Sequence, residues 1–165
     1  MSQRYGVLAA VVGSSVVLDQ ASKLWAESWL RGRGIVQVVD GYFDLRLSRN
    51  RGAFFSLGEH LPASLRAGFF IVTSLVAVTL VLSLFRRTQL SQRRLRAGLM
   101  LLCAGALGNM IDRARRGEVT DFMHLHLREI FQWATFNVAD ICITFGLLLL
   151  LLDAITQAPR PHHPA

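Results

Sequence analysis

The sequence predicts an all-α membrane protein: four transmembrane helices, with short strands in the polar segments between them. Three observations carry that expectation. Apolar residues make up 52% of the chain and mean hydropathy is +0.39, too apolar for an ordinary soluble domain of 165 residues. The apolar residues also come in blocks. No charge falls between Gly68 and Phe85 or between Ala97 and Ile111, and only Asp140 interrupts Trp133 to Leu152. A helix needs roughly 20 mostly apolar residues to cross a bilayer core. The Gly68 and Trp133 blocks nearly meet that alone, and the Ala97 block must borrow its flanks. Finally, the arginines lie in short segments between the blocks. The net charge of +7 therefore suits anionic lipid head groups, and no nucleic-acid partner is expected.

Helix one is expected from Tyr5 to Ser22, with an extension to Leu30 open. Arg4 and the apolar run Gly6 to Leu18 resemble a secretory leader, but Asp19-Gln20-Ala21-Ser22-Lys23 offers no small-x-small cleavage site, so a retained helix is the reading. In the polar stretch that follows, Ile35 to Val39 and Tyr42 to Leu47 read as strands around the turn Asp40-Gly41. Helix two is expected over Ser64 to Phe85 and helix three over Leu95 to Ile111. Between helices three and four, the alternating run Val119 to Leu127 reads as a strand. Helix four is expected from near Asn137 to near Asp153. Residues 1–157 are thus expected to form one integral membrane domain. The Pro/His-rich stretch 158–165 is read as a disordered cytoplasmic tail.

The linker from Arg86 to Arg96 holds five arginines and no acid. Short cytoplasmic loops are enriched in Lys and Arg, so both termini are expected in the cytoplasm and the two longer loops outside. Those loops carry basic residues too, interleaved with acids. Cys103 and Cys142 fall inside predicted helices and are read as core thiols. His124 and His126 alternate with Met123 and Leu125 and share one strand face. With neither a second His pair nor a His-Glu-x-x-His helix, no metal is expected. Trp25, Trp29 and Trp133 are read as interfacial anchors.

Ionisable groups in or beside membrane segments are costly and point to function by default. With both termini inside, Asp19, Lys23, Asn109, Asp112, Arg113, Asp121, Asn137 and Asp140 all fall at one depth on one side. Each also has a plainer reading. Asp19 and Lys23, at i and i+4, can simply pair at the end of helix one. Asn137 can cap helix four with Asp140 at its third position. Asp112-Arg113 can end helix three, and Asp121 can be a solvated strand acid. No Gly-x-Ser-x-Gly occurs, and no base is evident for a Ser or Cys nucleophile. A pair of carboxylates remains, one holding a proton and the other acting as base, an arrangement able to activate water against an amide.

Five ordered blocks then resemble one family. They are Asp19-Gln20-Ala21-Ser22-Lys23, Asn50-Arg51-Gly52-Ala53-Phe54-Phe55-Ser56, Gly105 to Arg113 (Gly-Ala-Leu-Gly-Asn-Met-Ile-Asp-Arg), Val119-Thr120-Asp121-Phe122 and Phe136-Asn137-Val138-Ala139-Asp140. In this order they resemble the bacterial lipoprotein signal peptidases, or signal peptidase II. Gly105-Ala106 departs from the Gly-Gly of many relatives. The resemblance implies a four-helix aspartic endopeptidase of the inner membrane with a small extracytoplasmic β-cradle. Its substrates would be diacylglyceryl-modified prolipoproteins, cut just before the lipidated lipobox cysteine near the periplasmic face, with no cofactor. Membrane phospholipids and the inhibitor globomycin are the other implied partners. The catalytic aspartates fall on Asp121 and Asp140. The remaining polar site positions fall on Asp19, Lys23, Asn50, Asn109, Asp112, Arg113 and Asn137, with Asn50 and Arg113 either binding substrate backbone or supporting the aspartates.

Two other classes fit less well. A transporter or channel subunit would carry acids at mid-membrane, often in repeated halves, and no repeat is visible. A metal-dependent head-group transferase would need a denser set of acids than Asp121 and Asp140 provide.

Overall fold

The computed structural model describes residues 2–52 and 63–157. The Ala53-Phe54-Phe55-Ser56 portion of the second block and the 158–165 tail lie outside the described residues. The elements run α1 (Ser2–Leu30), β1 (Val36–Val39), β2 (Phe43–Asn50), α2 (Ala63–Arg87), α3 (Arg93–Arg116), β3 (Val119–Leu127), β4 (Phe131–Gln132) and α4 (Val138–Gln157). Among the described residues, four helices are long and apolar enough to cross a membrane. Their outer faces match that length. Leu65, Phe69, Val72, Leu80 and Leu84 on α2, and Phe145, Leu148, Leu151 and Ile155 on α4, are all exposed. Apolar surface on this scale is stable against lipid and not against water. The chain is a multi-pass membrane protein.

All four helices run past their expected ends, α1 and α3 furthest and for identifiable reasons. α1 takes the extended reading to Leu30, because Ala26 and Leu30 bury against Phe122 of β3 and the final turns gain a packing surface. Asp19 and Lys23 therefore lie within α1 and not at its end. α3 does not stop at Ile111. Its acid, Asp112, is neutralised from α1, and the helix continues until Gly117, which adopts φ 74° and sends its N–H to the Arg113 carbonyl (2.9 Å). A glycine in the left-handed conformation is the common helix terminator. Cys103 is buried, but Cys142 is only half-buried, so the core reading fits the first thiol alone.

The strands form one antiparallel sheet in the order β1-β2-β3-β4. In the β2–β3 register Asp44 faces His124, Ser48 faces Asp121 and Asn50 faces Val119, with an irregularity between Leu45 and Ser48. Phe136 bridges Met123, each N–H reaching the other's carbonyl, and this sets the start of α4 beside Asp121. A polar clasp holds sheet to helices. Glu27 of α1 takes Arg49 of β2 (2.9 Å) and Arg116 of α3 as ion partners, and the Thr120 hydroxyl donates to it (2.9 Å).

α3 and α4 touch backbone to backbone. A Cβ on Gly98 would lie 2.9 Å from the Gly146 carbonyl, and one on Gly105 would collide with the Ala139 carbonyl and the Ile143 side chain. Small residues at such crossings allow dispersion contacts and close backbone approach in lipid. Gly105→Ala is therefore expected to force apart the first turn of α4, costing about 1–3 kcal/mol. Gly68→Ala, where nothing lies within 4 Å, is the control. Thermal unfolding in detergent followed by tryptophan fluorescence checks this, and equal melting of the two variants would refute it.

Candidate active site

The polar residues meet at the end of the bundle where α1 and α3 finish, α4 begins and the sheet sits. Four carboxylates gather there with one lysine, and the geometry divides them into two kinds.

Asp19 and Asp112 belong to Lys23. Its Nζ lies 2.8 Å from Asp19 Oδ2 and 2.9 Å from Asp112 Oδ2, with both acids and the lysine almost wholly buried. Neutral donors take up their remaining acceptor capacity. The Ala139 amide in the first turn of α4 donates to Asp19 Oδ1 (2.9 Å) and the Thr120 amide to Asp112 Oδ2 (3.2 Å). The Gln20 amide donates to both acids and to the Gly108 carbonyl. This is a buried ion triad with hydrogen bonds filling its open sites, the form in which such charges are tolerated. The expected Asp19–Lys23 pair is present, but it is one edge of a three-way link between α1, α3 and α4.

Asp121 and Asp140 have no ion-pair partner among the described residues; amides hold them instead. Asn137 connects the two. Its side-chain Nδ2 donates to Asp121 Oδ1 (2.6 Å), and its backbone N–H donates to Asp140 Oδ2 (3.1 Å). The Asp140 amide returns a bond to Asn137 Oδ1 (3.0 Å), completing a reciprocal cap of the kind helix N-termini favour. The capping role expected of Asp140 is therefore present. Asn109 Nδ2 donates to Asp140 Oδ1 (2.8 Å), while its own Oδ1 accepts from Lys23 (3.1 Å) and Asn137 (3.2 Å). Both asparagines are thus oriented by the lysine-centred triad.

Asp121 is not the solvated strand acid of the plainer reading, for it is 1% exposed. Burial pushes its carboxyl up to about 7, and the neighbouring charge of Asp140 acts in the same direction. Hydrogen bonds from Asn137 and Asn50 and the charge of Lys23 oppose that rise without cancelling it. Asn50, at the end of β2, also accepts from the Gly52 amide (2.9 Å). The charges of Asp140, Asp121 and Asp112 all act on Arg113, whose guanidinium lies 5.0 Å from the centre of the Phe70 ring of α2. All nine positions singled out in the sequence therefore stand in or against this one cluster.

Three contributors were not singled out. Gln20 lies inside a quoted block and had no role assigned. Thr120, wholly buried, ties β3 to Asp112 and Glu27. Glu27, also buried, lies outside the quoted blocks and had no role assigned.

Fold and site together define a multi-pass membrane protein with a buried carboxylate cluster at one end of its bundle. A family model described as "Signal peptidase (SPase) II" matches residues 11–156. The lipoprotein signal peptidase of Geobacter sulfurreducens is 40% identical over 97% of this chain and 98% of its own length. That of Geobacter metallireducens is 38% identical over 97% of each. Two solved bacterial membrane enzymes share the fold. One, 26% identical, has a TM-score of 0.80 over 93% of this chain and 95% of its own. The other, 24% identical, has a TM-score of 0.78 over 97% and 95%. The chain belongs to the signal peptidase II family of proteases.

Proposed function

We propose that the protein is an aspartic endopeptidase in which Asp121 and Asp140 hydrolyse diacylglyceryl-modified prolipoproteins just before the lipidated lipobox cysteine. One observation carries this. Of four clustered carboxylates, these two alone form no salt bridge among the described residues, and one asparagine holds both. Two nearby acids that no cation pairs with directly share a proton, so one is base while the other is acid. The base takes a proton from a water molecule as its oxygen attacks the scissile carbonyl carbon. The protonated partner first supports the developing oxyanion and then gives its proton to the leaving amide nitrogen as the C–N bond breaks. No metal takes part in these steps.

The remaining polar residues hold this pair. Asn109 and Asn137 fix the carboxyl oxygens, and Lys23 with Asp19 and Asp112 fixes Asn109. Asn50 supports Asp121, while Arg113, backed by Phe70, faces the substrate backbone. The exposed apolar faces of α2 to α4 would take the diacylglyceryl chains, with membrane phospholipids as the surrounding solvent and globomycin as an inhibitor. The arginines at the Arg86–Arg96 end favour the cytoplasm. That orientation puts both termini inside and the carboxylates near the periplasmic face of the inner membrane. Residues 1–157 then act as one peptidase domain, with 158–165 as a cytoplasmic tail.

The test uses purified protein in lipid-doped micelles with a prolipoprotein peptide, with and without diacylglyceryl on its cysteine. Mass spectrometry should show a product beginning at the lipidated cysteine, no cut in the unlipidated peptide, and inhibition by globomycin. Equal cleavage of both peptides, or a cut elsewhere, would overturn the assignment.

A further inference from the structure

We propose that Asp44, His124 and His126 form a zinc-class metal site that fastens β2 to β3, separate from the carboxylate pair. Asp44 stands directly opposite His124 in the strand register. His126, two residues further along β3, falls on the same face as His124. The imidazoles are stacked, 5.2 Å apart at 17°, and both look onto one carboxylate. His124 Nδ1 is 3.2 Å and His126 Nε2 3.3 Å from Asp44 oxygens. Ligands at roughly 2.0–2.1 Å around a tetrahedral zinc are about 3.3 Å from one another, so these two separations need little adjustment. Counting one donor atom from each residue, all three lie within 4.8 Å of one another.

The hydrogen bond between His124 Nδ1 and Asp44 Oδ2 (3.2 Å) accounts for only part of this arrangement. Asp44 Oδ1 and His126 Nε2 are buried without a hydrogen-bond partner among the described residues, and Asp44 and His124 are 5% and 2% exposed. Buried polar atoms are rarely left in that state. His126 is also already set for ligation. Its Nδ1 lies 3.3 Å from the Arg128 carbonyl, where it can donate, leaving Nε2 with a free lone pair turned toward Asp44. Metal-bound histidines are commonly fixed by such a carbonyl. Two imidazoles and a carboxylate suit zinc and its borderline neighbours and do not suit calcium or magnesium.

The role is structural. Asp121 is three residues from His124 on β3, and strand alternation turns its side chain to the opposite face, so the metal would brace the sheet that carries Asp121 without touching it. His60, His162 and His163 are the competing zinc ligands that a test must separate.

Chelator-stripped protein in detergent should bind one zinc per chain, measured by elemental analysis after gel filtration. Zinc at a hundredfold its Kd should raise Tm by ~5 °C. Asp44→Asn and His126→Gln should each remove the bound zinc and the rise in Tm. Replacing His60, His162 and His163 together by Ala should leave both intact. If Asp44→Asn does not fold, the more exposed His126→Gln decides. Stripped protein should cleave its peptide substrate at an unchanged rate well below its Tm. Zinc-dependent stabilisation that survives His126→Gln, or no zinc retained by the stripped protein, would refute the site, and turnover lost on stripping would refute its structural role.

Discussion

Asp121→Asn and Asp140→Asn should each lower the rate of prolipoprotein cleavage by at least ~10³-fold, the scale of losing a general acid or base, while the protein still inserts and purifies. Asn keeps the shape and an accepting oxygen, so Asn137 can still donate at either position. What it cannot do is exchange a proton. The two variants differ in stability. The Asp121 carboxyl sits at about 7 in the folded protein, above its ordinary range. The proton is therefore held more tightly in the folded state, and its contribution to stability is complete below the unfolded value near 4 and lost as pH rises through about 7. At pH 8 the native protein carries the penalty of a buried, ionised Asp121, and Asp121→Asn does not. That variant should melt above wild type at pH 8 and lose the advantage at pH 5. Wild-type turnover should fall on the alkaline side as the shared proton leaves. Substantial activity in either variant would remove the aspartic mechanism, and a Tm difference independent of pH would remove the account of Asp121's burial.

The helices and the polar cluster could be read from the sequence because both are written in local pattern. Uninterrupted apolar runs predict α2 and α4 closely, and ionisable residues beside such runs are rare enough to be conspicuous. Helix ends were less legible. Ser22 and Ile111 looked like ends because charged residues follow them, yet Lys23 and Asp112 are each other's counter-ion across two helices, so neither charge interrupts its helix. The partner of a charge is tertiary information. The same limit applied to His124 and His126. Their alternation put them on one face, but Asp44, 80 positions away from His124 in sequence, joins them only through the β2–β3 register. The division of the four acids into two paired and two unpaired was also invisible, because it depends on where one lysine reaches.

That lysine should be the most costly single side chain to remove. Lys23→Met keeps the length and the apolar stem and deletes only the cation, leaving Asp19 and Asp112 facing each other in a space where both are nearly inaccessible to water. Breaking a buried ion cluster from one side costs roughly 3–5 kcal/mol, a large part of the ~5–15 kcal/mol typical of a folded domain. The amides of Ala139 and Thr120 remain as donors, but an amide cannot balance two negative charges. Unfolding in detergent, followed by the fluorescence of Trp25, Trp29 and Trp133, should show a marked loss of Tm. Adding Asp19→Asn and Asp112→Asn to Lys23→Met should restore most of it, because a neutral cluster of the same shape has no uncompensated charge. Activity should recover less than stability. Lys23 also fixes the Asn109 carbonyl oxygen, and Asn109 with its amide reversed would offer Asp140 an acceptor where it needs a donor. If the triple variant melts no higher than Lys23→Met, the lost stability lies in the lysine's packing, and the sorting of the acids by charge would lose its energetic basis.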